Sequence, residues 1–306
     1  MNTLYAMPGN DTFAELLTLH TGYQRRQLLL HRFPDGETLV QMAAPAPDGD
    51  AVIVCTLDRP DPKVLPLMMA AATARELGAA RVGLVAPYLA YMRQDMRFHL
   101  GEAISARIFG DWLGHAFDWL VTVDPHLHRY ATLAEVYPRA SHVVHAAAQL
   151  AVWIDAHVSL PLITGPDGES AQWVTAVSNL LCAPSVVARK ERHGDREVEI
   201  FLPEIDNWRD HTPVLLDDIV ASGATMVQTL RCLRKRTSHP PVCVALHGLF
   251  AEGAIEDMLV EGARLIVTSN SIVTAASQID ISKPVAEAMV NLCATHPSEA
   301  GRGAPA

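Results

Sequence analysis

The sequence predicts an α/β protein of two tandem units, each a mostly parallel sheet flanked by helices. Short β-branched runs alternate with amphipathic helical stretches, the pattern of a parallel sheet covered on both faces. The alternation starts again after a seam near residues 138–150, which divides the chain into 1–145 and 146–282. The 306 residues, 49% hydrophobic and 19% charged, suffice for two ordinary cores.

In the first unit, residues 51–56 (AVIVCT) form a buried-strand run between Gly49-Asp50 and Asp58-Arg59-Pro60. Asp61 and Pro62 then supply an N-cap and a first helical position. The helix groups Leu65, Met68, Met69 and Ala72 on one face and stops at Gly78. Residues 81–86 are the next strand. A helix from about Glu102 turns Ile104, Ile108 and Trp112 inward and ends near Gly114, before a third strand at 120–124. In the second unit, strands are expected at 160–164, 185–188, 213–217, 242–246 and 264–268, with helices at about 170–181 and 225–236. A last helix, about 283–295, is expected to pack back on the first unit, and residues 296–306 read as a disordered tail.

A formal charge of −10 argues against a general affinity for nucleic acid or anionic membrane. Only four of the 24 basic residues are lysines: Lys63, Lys190, Lys235 and Lys283. Five cysteines without a CxxC pair speak against a disulfide framework or zinc site and for a reducing compartment. The N-terminus carries no basic stretch before an apolar one, and no apolar run approaches the roughly 20 residues of a membrane span. The expectation is a cytoplasmic protein that binds neither nucleic acid nor membrane.

Ligands of doubly wound sheets bind beyond the carboxyl ends of strands. There the segment 214–225 (VLLDDIVASGAT) places two acids at the end of a buried strand and a small-residue loop before a helix. Small residues let backbone N–H groups close around a phosphate, and the helix N-terminus adds positive potential. The acids suit ribose hydroxyls or Mg²⁺, which takes hard oxygen ligands. An acidic turn before a capped helix is the plainer alternative. The GxxxxGK[ST] and GxGxxG patterns are both absent.

Four further segments accompany it: Phe33-Pro34-Asp35-Gly36-Glu37; residues 87–95, PYLAYMRQD; Asp124-Pro125-His126 at a strand end; and Gly165-Pro166-Asp167-Gly168. In this order and spacing, across residues 30–295, the five together resemble the ribose-phosphate diphosphokinases, or phosphoribosyl pyrophosphate synthetases, in an archaeal-like branch. The resemblance implies two type I phosphoribosyltransferase-like domains. It implies transfer of pyrophosphate from ATP to ribose 5-phosphate, with Mg²⁺ as cofactor and a homo-oligomer, dimer or hexamer, as the assembly.

By the same resemblance, Phe33, Asp35 and Glu37 bind adenine from a neighbouring subunit, and Arg93, Gln94 and His126 contact the nucleotide. Asp217, Asp218, Ala221, Ser222, Gly223, Ala224 and Thr225 bind ribose 5-phosphate. Asp167 and His126 stand near the metal. Lys190 and Arg192, in a basic segment after a strand, are the implied catalytic pair, since phosphoryl-type transfer is helped most by cations aimed at accumulating charge. The chain departs from the pattern at Ala221, Ala224 and Met96, and in its GPDGES loop. Two alternatives remain beside the diphosphokinase: a catalytically weak regulatory subunit, and a phosphoribosyltransferase.

Overall fold

In a computed structural model of the chain, which describes residues 1–193, 197–203 and 205–295, two six-stranded sheets are built entirely from parallel neighbours. The expected disordered tail lies outside the described residues. The chain divides into Met1–Val144 with the segment from Ser282 onward, and His145–Ile281.

The first unit runs β1 (Thr3–Ala6), α1 (Asp11–Thr21), β2 (Gln24–Arg25), β3 (Leu28–Arg32), β4 (Thr38–Met42), β5 (Asp50–Val54), α2 (Asp61–Glu76), β6 (Arg81–Ala86), α3 (Ser105–Ala116), β7 (Trp119–Val123) and β8 (Ala140–Val144). The second runs α4 (Ala147–His157), β9 (Pro161–Gly165), α5 (Ala171–Leu181), β10 (Ser185–Val187), β11 (Arg189–His193), β12 (Glu197–Phe201), β13 (Thr212–Val220), α6 (Ala224–Arg236), β14 (Val242–Gly248), α7 (Ala254–Val260), β15 (Leu265–Ser269) and β16 (Ser277–Ile279). A final helix, α8 (Ser282–Thr295), belongs to the first unit.

The two sheets have one strand order. The first is β2-β1-β5-β6-β7-β8 and the second β10-β9-β13-β14-β15-β16, so the order reverses between β1 and β5 and between β9 and β13. Each unit also inserts an antiparallel hairpin at the same point, β3–β4 in one and β11–β12 in the other. The fold therefore repeats, hairpin included.

Every residue of β5 and β7 is buried, which is why these strands read as unbroken apolar runs. Gly83 of β6 is needed where Trp119 of the adjacent strand crosses it: a Cβ there would lie 2.0 Å from Trp119 Cζ2. The Trp119 indole N–H reaches Asp50 Oδ2 at 3.3 Å. Arg81 grips the same carboxylate with two hydrogen bonds, 3.0 and 2.7 Å, and donates a third at 3.0 Å to the Cys293 carbonyl of α8. One buried ion pair thus joins the start of β5, the start of β6 and the last helix.

The helix faces differ from expectation. Leu65 is 62% exposed and Met69 also faces outward, while Pro66, Leu67, Ala70, Ala71 and Ala74 are the buried side of α2. In α3, Ile108 and Trp112 (56% exposed) point outward, and Ala106, Phe109, Gly110, Leu113 and Gly114 point in. In α3, close approach decides this. A Cβ on Gly110 would sit 2.0 Å from the Val136 carbonyl oxygen, and one on Gly114 2.7 Å from Pro138 Cγ. Glycines take the two closest inward positions of α3, next to the inward Phe109 and Leu113, and Ile108 and Trp112 stand on its outer face. The helix α3 also starts at Ser105, not Glu102, whose carboxylate accepts from the N–H groups of Phe98 and His99.

Arg81→Met would leave the Asp50 carboxylate buried without its cation, and a loss of about 3–5 kcal/mol is expected. Urea denaturation of the variant against the parent measures it.

Candidate active site

In the second unit the residues of interest gather at one sheet edge. The strands β9 and β13 are parallel neighbours, so the loops that follow them leave the same carboxyl edge. Strand β13 does not stop at Asp217; it continues through both acids to Val220. The Asp217 carboxylate accepts a hydrogen bond from the Asp218 N–H at 3.0 Å, and Asp218 in turn accepts from the Ile219 N–H at 2.8 Å. Burial is the main cause that pushes the Asp217 carboxyl up to about 8, with the charges of Asp218 and Asp167 adding to it. Asp167 is therefore a close electrostatic neighbour of the acid pair.

The loop of Asp167 is tightly folded. Its side chain accepts from the Glu169 N–H at 3.1 Å, and the Ser170 hydroxyl donates to its carbonyl at 2.7 Å. Gly165 is required here, since a Cβ would lie 2.3 Å from Ser170 Oγ. After β13, Gly223 takes a left-handed conformation (φ 72°) immediately before α6, and Ser222 and Ala224 are exposed. The first N–H groups of a helix have no intrahelical acceptor. Ala221 is partly buried and Thr225 lies in the first turn of α6. The residues 221–225 thus form a partly exposed turn ending in a helix N-terminus, directly after the strand that carries the acid pair.

The basic segment after β10 opens an antiparallel hairpin. Arg189–His193 pairs antiparallel with Glu197–Phe201, so Lys190 faces Ile200 and Arg192 faces Val198 across the hairpin. The side chains of Lys190 and Arg192 lie outside the described residues.

In the first unit, residues 33–37 close the β3–β4 hairpin: the Phe33 N–H donates to the Glu37 carbonyl at 2.8 Å, and Asp35 caps the Glu37 N–H at 3.0 Å. Phe33 is 40% exposed and meets His31 edge-on, with ring centroids 4.8 Å apart. The residues Arg93, Gln94 and His126 belong instead to the loops after β6 and β7. Arg93 is exposed. The Gln94 amide donates to the Met96 carbonyl (3.2 Å) and to Glu102 Oε2 (3.1 Å), and the N–H groups of His99 and Phe98 hold the Glu102 carboxyl below the usual range. The His126 and His128 rings stack at 5.6 Å. The non-glycine residues Arg59, Tyr91 and Asp124 have positive φ (48°, 63° and 31°), one in each loop after β5, β6 and β7. Such costly backbone tends to collect where loops are shaped for a ligand.

The repeat shows what the first unit lacks. The Asn10 side chain, after β1, donates to the carbonyls of Met7 and Pro8 and accepts from the Thr56 N–H at 2.7 Å. Lys63 binds the Thr56 carbonyl at 2.9 Å and pairs with Asp58. The loops corresponding to those of Asp167 and Asp217 are here laced together by the protein's own side chains. In the second unit, sequence reasoning missed a buried polar group at the ends of β14 and β15. His247 Nδ1 lies 2.8 Å from Ser271 Oγ, and Ser269 and Ser271 both donate to the Leu246 carbonyl. His247 stands opposite Ile219 in the sheet. Its signal was a polar residue directly after the apolar run 242–246.

Among the described residues no cluster of three or more His, Cys, Asp or Glu side chains is arranged to hold a metal, and no helix is long and apolar enough to cross a membrane. A sequence profile of the N-terminal domain of ribose phosphate pyrophosphokinase matches residues 3–116, and one of the phosphoribosyl transferase domain matches residues 137–273. The chain is 31% identical over 264 residues to a ribose-phosphate pyrophosphokinase of Methanopyrus kandleri, covering 85% of this chain and 89% of that protein. It is also 31% identical to that of Thermococcus kodakarensis, over 86% of this chain and 91% of that protein. The crystal structure of phosphoribosylpyrophosphate synthetase from Mycobacterium smegmatis shares the fold, with a TM-score of 0.84 at 19% identity over 96% of this chain and all of that one.

The folded value of Asp217 lies above its unfolded one, so the folded state holds the extra proton between about pH 4 and 8, and its contribution to stability falls as pH rises through that window. Asp217→Asn, neutral throughout, is expected to gain in melting temperature relative to the parent as pH is raised across it. Parallel melting curves at all pH values would contradict this.

Proposed function

The chain belongs to the ribose-phosphate pyrophosphokinase family, and from that premise we propose that it transfers the β,γ-pyrophosphoryl group of ATP to the anomeric hydroxyl of ribose 5-phosphate. The observation that carries the reading is the acid pair of β13 beside Asp167, followed at once by the exposed turn 221–225 at the start of α6. The N–H groups of Ser222, Gly223, Ala224 and Thr225 would hold the 5-phosphate. Asp217 and Asp218 would accept hydrogen bonds from the ribose hydroxyls. The C1 hydroxyl attacks the β-phosphorus, the bond from that phosphorus to the α–β bridging oxygen breaks, AMP leaves with that oxygen, and the hydroxyl proton is released. Phosphoribosyl pyrophosphate is the other product.

The first unit would bind ATP. Arg93 can fork onto phosphate, Gln94 and His126 would touch the nucleotide, and Phe33 can stack on adenine with Asp35 and Glu37 accepting from its amine. Lys190 and Arg192 would face the charge that accumulates on the transferring group. Mg²⁺ fits the donor chemistry present: Asp167 and the Asp217–Asp218 pair are carboxylates whose charges act on one another, and a cation would relieve their mutual repulsion. Bound, it would neutralise charge on the phosphates, with Asp167 the candidate holder in the second unit and His126 the candidate holder in the first.

The outward apolar faces of α2 and α3, with Leu65, Met69, Ile108 and Trp112 exposed, support a homo-oligomer. The compartment proposed is the cytoplasm.

AMP formation from ATP is expected only when ribose 5-phosphate and Mg²⁺ are both present. No AMP would favour the regulatory alternative, and base-dependent release of pyrophosphate the phosphoribosyltransferase. Lys190→Ala is expected to lower turnover by ~10²–10³, the usual loss of one transition-state donor. Sedimentation of Trp112→Glu should show smaller particles than the parent; an unchanged size would remove these helices from the interface.

A further inference from the structure

The loops that follow β6 and β7 are joined by an ion pair. Asp95, the last residue of the Arg-Gln-Asp segment, has a side chain only 1% exposed, and Arg129 Nη1 donates to its Oδ1 at 2.7 Å. The second oxygen, Oδ2, accepts no hydrogen bond from the described residues. A carboxylate out of water is costly unless a cation or several donors compensate it, so Arg129 carries most of that compensation. The neighbouring Tyr130 hydroxyl donates to the Asp95 carbonyl at 3.1 Å. The Arg129 guanidinium also lies over the Phe98 ring, 5.5 Å from its centroid.

Residues 129 and 130 therefore hold the side chain of Asp95, its backbone and the ring of Phe98. The far end of their own loop is fixed as well: Thr132 and Glu135 form a reciprocal cap, with Glu135 Oε1 accepting from the N–H groups of Ala131 and Thr132 at 2.7 and 3.1 Å. Arg93 and Gln94 directly precede Asp95, and His126 shortly precedes Arg129. Gln94 and Glu102 brace the first loop internally, whereas the Asp95–Arg129 pair ties it to the second.

We infer that Arg129 is a positioning residue for the nucleoside triphosphate: paired with Asp95, it sets the loop of Arg93 and Gln94 at a fixed spacing from the loop of His126. Its role rests on the reading of these loops as the ATP site. Arg129 does not touch the reacting atoms; it acts through Asp95, and a misplaced loop weakens binding by its lost geometry.

Calorimetric titration of the intact protein with ATP–Mg²⁺, and separately with ribose 5-phosphate, tests it. Arg129→Met should weaken ATP by about tenfold to a hundredfold, the scale of a displaced positioning group, and leave ribose 5-phosphate nearly unchanged. Arg129→Lys should recover most of the loss. Because the single variant strands a buried carboxylate, the double variant Asp95→Asn with Arg129→Met is made alongside it. It should melt close to the parent and still bind ATP weakly. Parental ATP affinity in the folded double variant, or equal losses for both ligands, would overturn the inference. A parent that binds ATP but releases no AMP with ribose 5-phosphate would defeat the proposed reaction and leave Arg129 to be judged by affinity. A parent with no affinity for ATP would defeat both.

Discussion

Parallel strand geometry is the constraint on which the rest depends. When every neighbour in a sheet runs the same way, all carboxyl ends fall on one edge, and each loop that leaves it starts beside the others. Asp167 after β9 and the acids of β13 come together for this reason, although fifty residues separate them. The loops after β6 and β7 meet for the same reason, and there Arg129 reaches Asp95.

The repeat makes the chemistry of the second unit easier to see. Both units share a strand order and a hairpin inserted at the same point. In the first, Asn10 stitches the loops after β1 and β5 together, and Lys63 neutralises Asp58. In the second, the corresponding positions bring three carboxylates together and leave an exposed turn at a helix start. One frame is closed on itself by internal hydrogen bonds; the other crowds acids together, and their mutual repulsion helps raise the Asp217 carboxyl, the kind of perturbation that collects at binding sites.

Reading of the chain succeeded where a residue's neighbours in sequence are also its neighbours in space. The apolar runs of β5, β7 and β14 were legible because both of their faces are buried, and the acid–acid–loop–helix segment was legible because it is continuous. The outward faces of α2 and α3 were not. Trp112 looks like a core residue until Gly110 and Gly114 are seen against Val136 and Pro138. The strand β11 has no apolar period of its own, and only its pairing with β12 defines it.

The linear order of residues by itself determined the fold class, the two-part organisation and the candidate acids, cations and phosphate turn, because period and local composition encode them. Only the tertiary structure decided which helix faces turn inward, that burial and neighbouring acids raise the Asp217 carboxyl, that His247 is buried against Ser271, and that Arg129 holds Asp95. Each of these depends on burial or on a partner distant along the chain, and neither quantity is written in any local stretch of sequence.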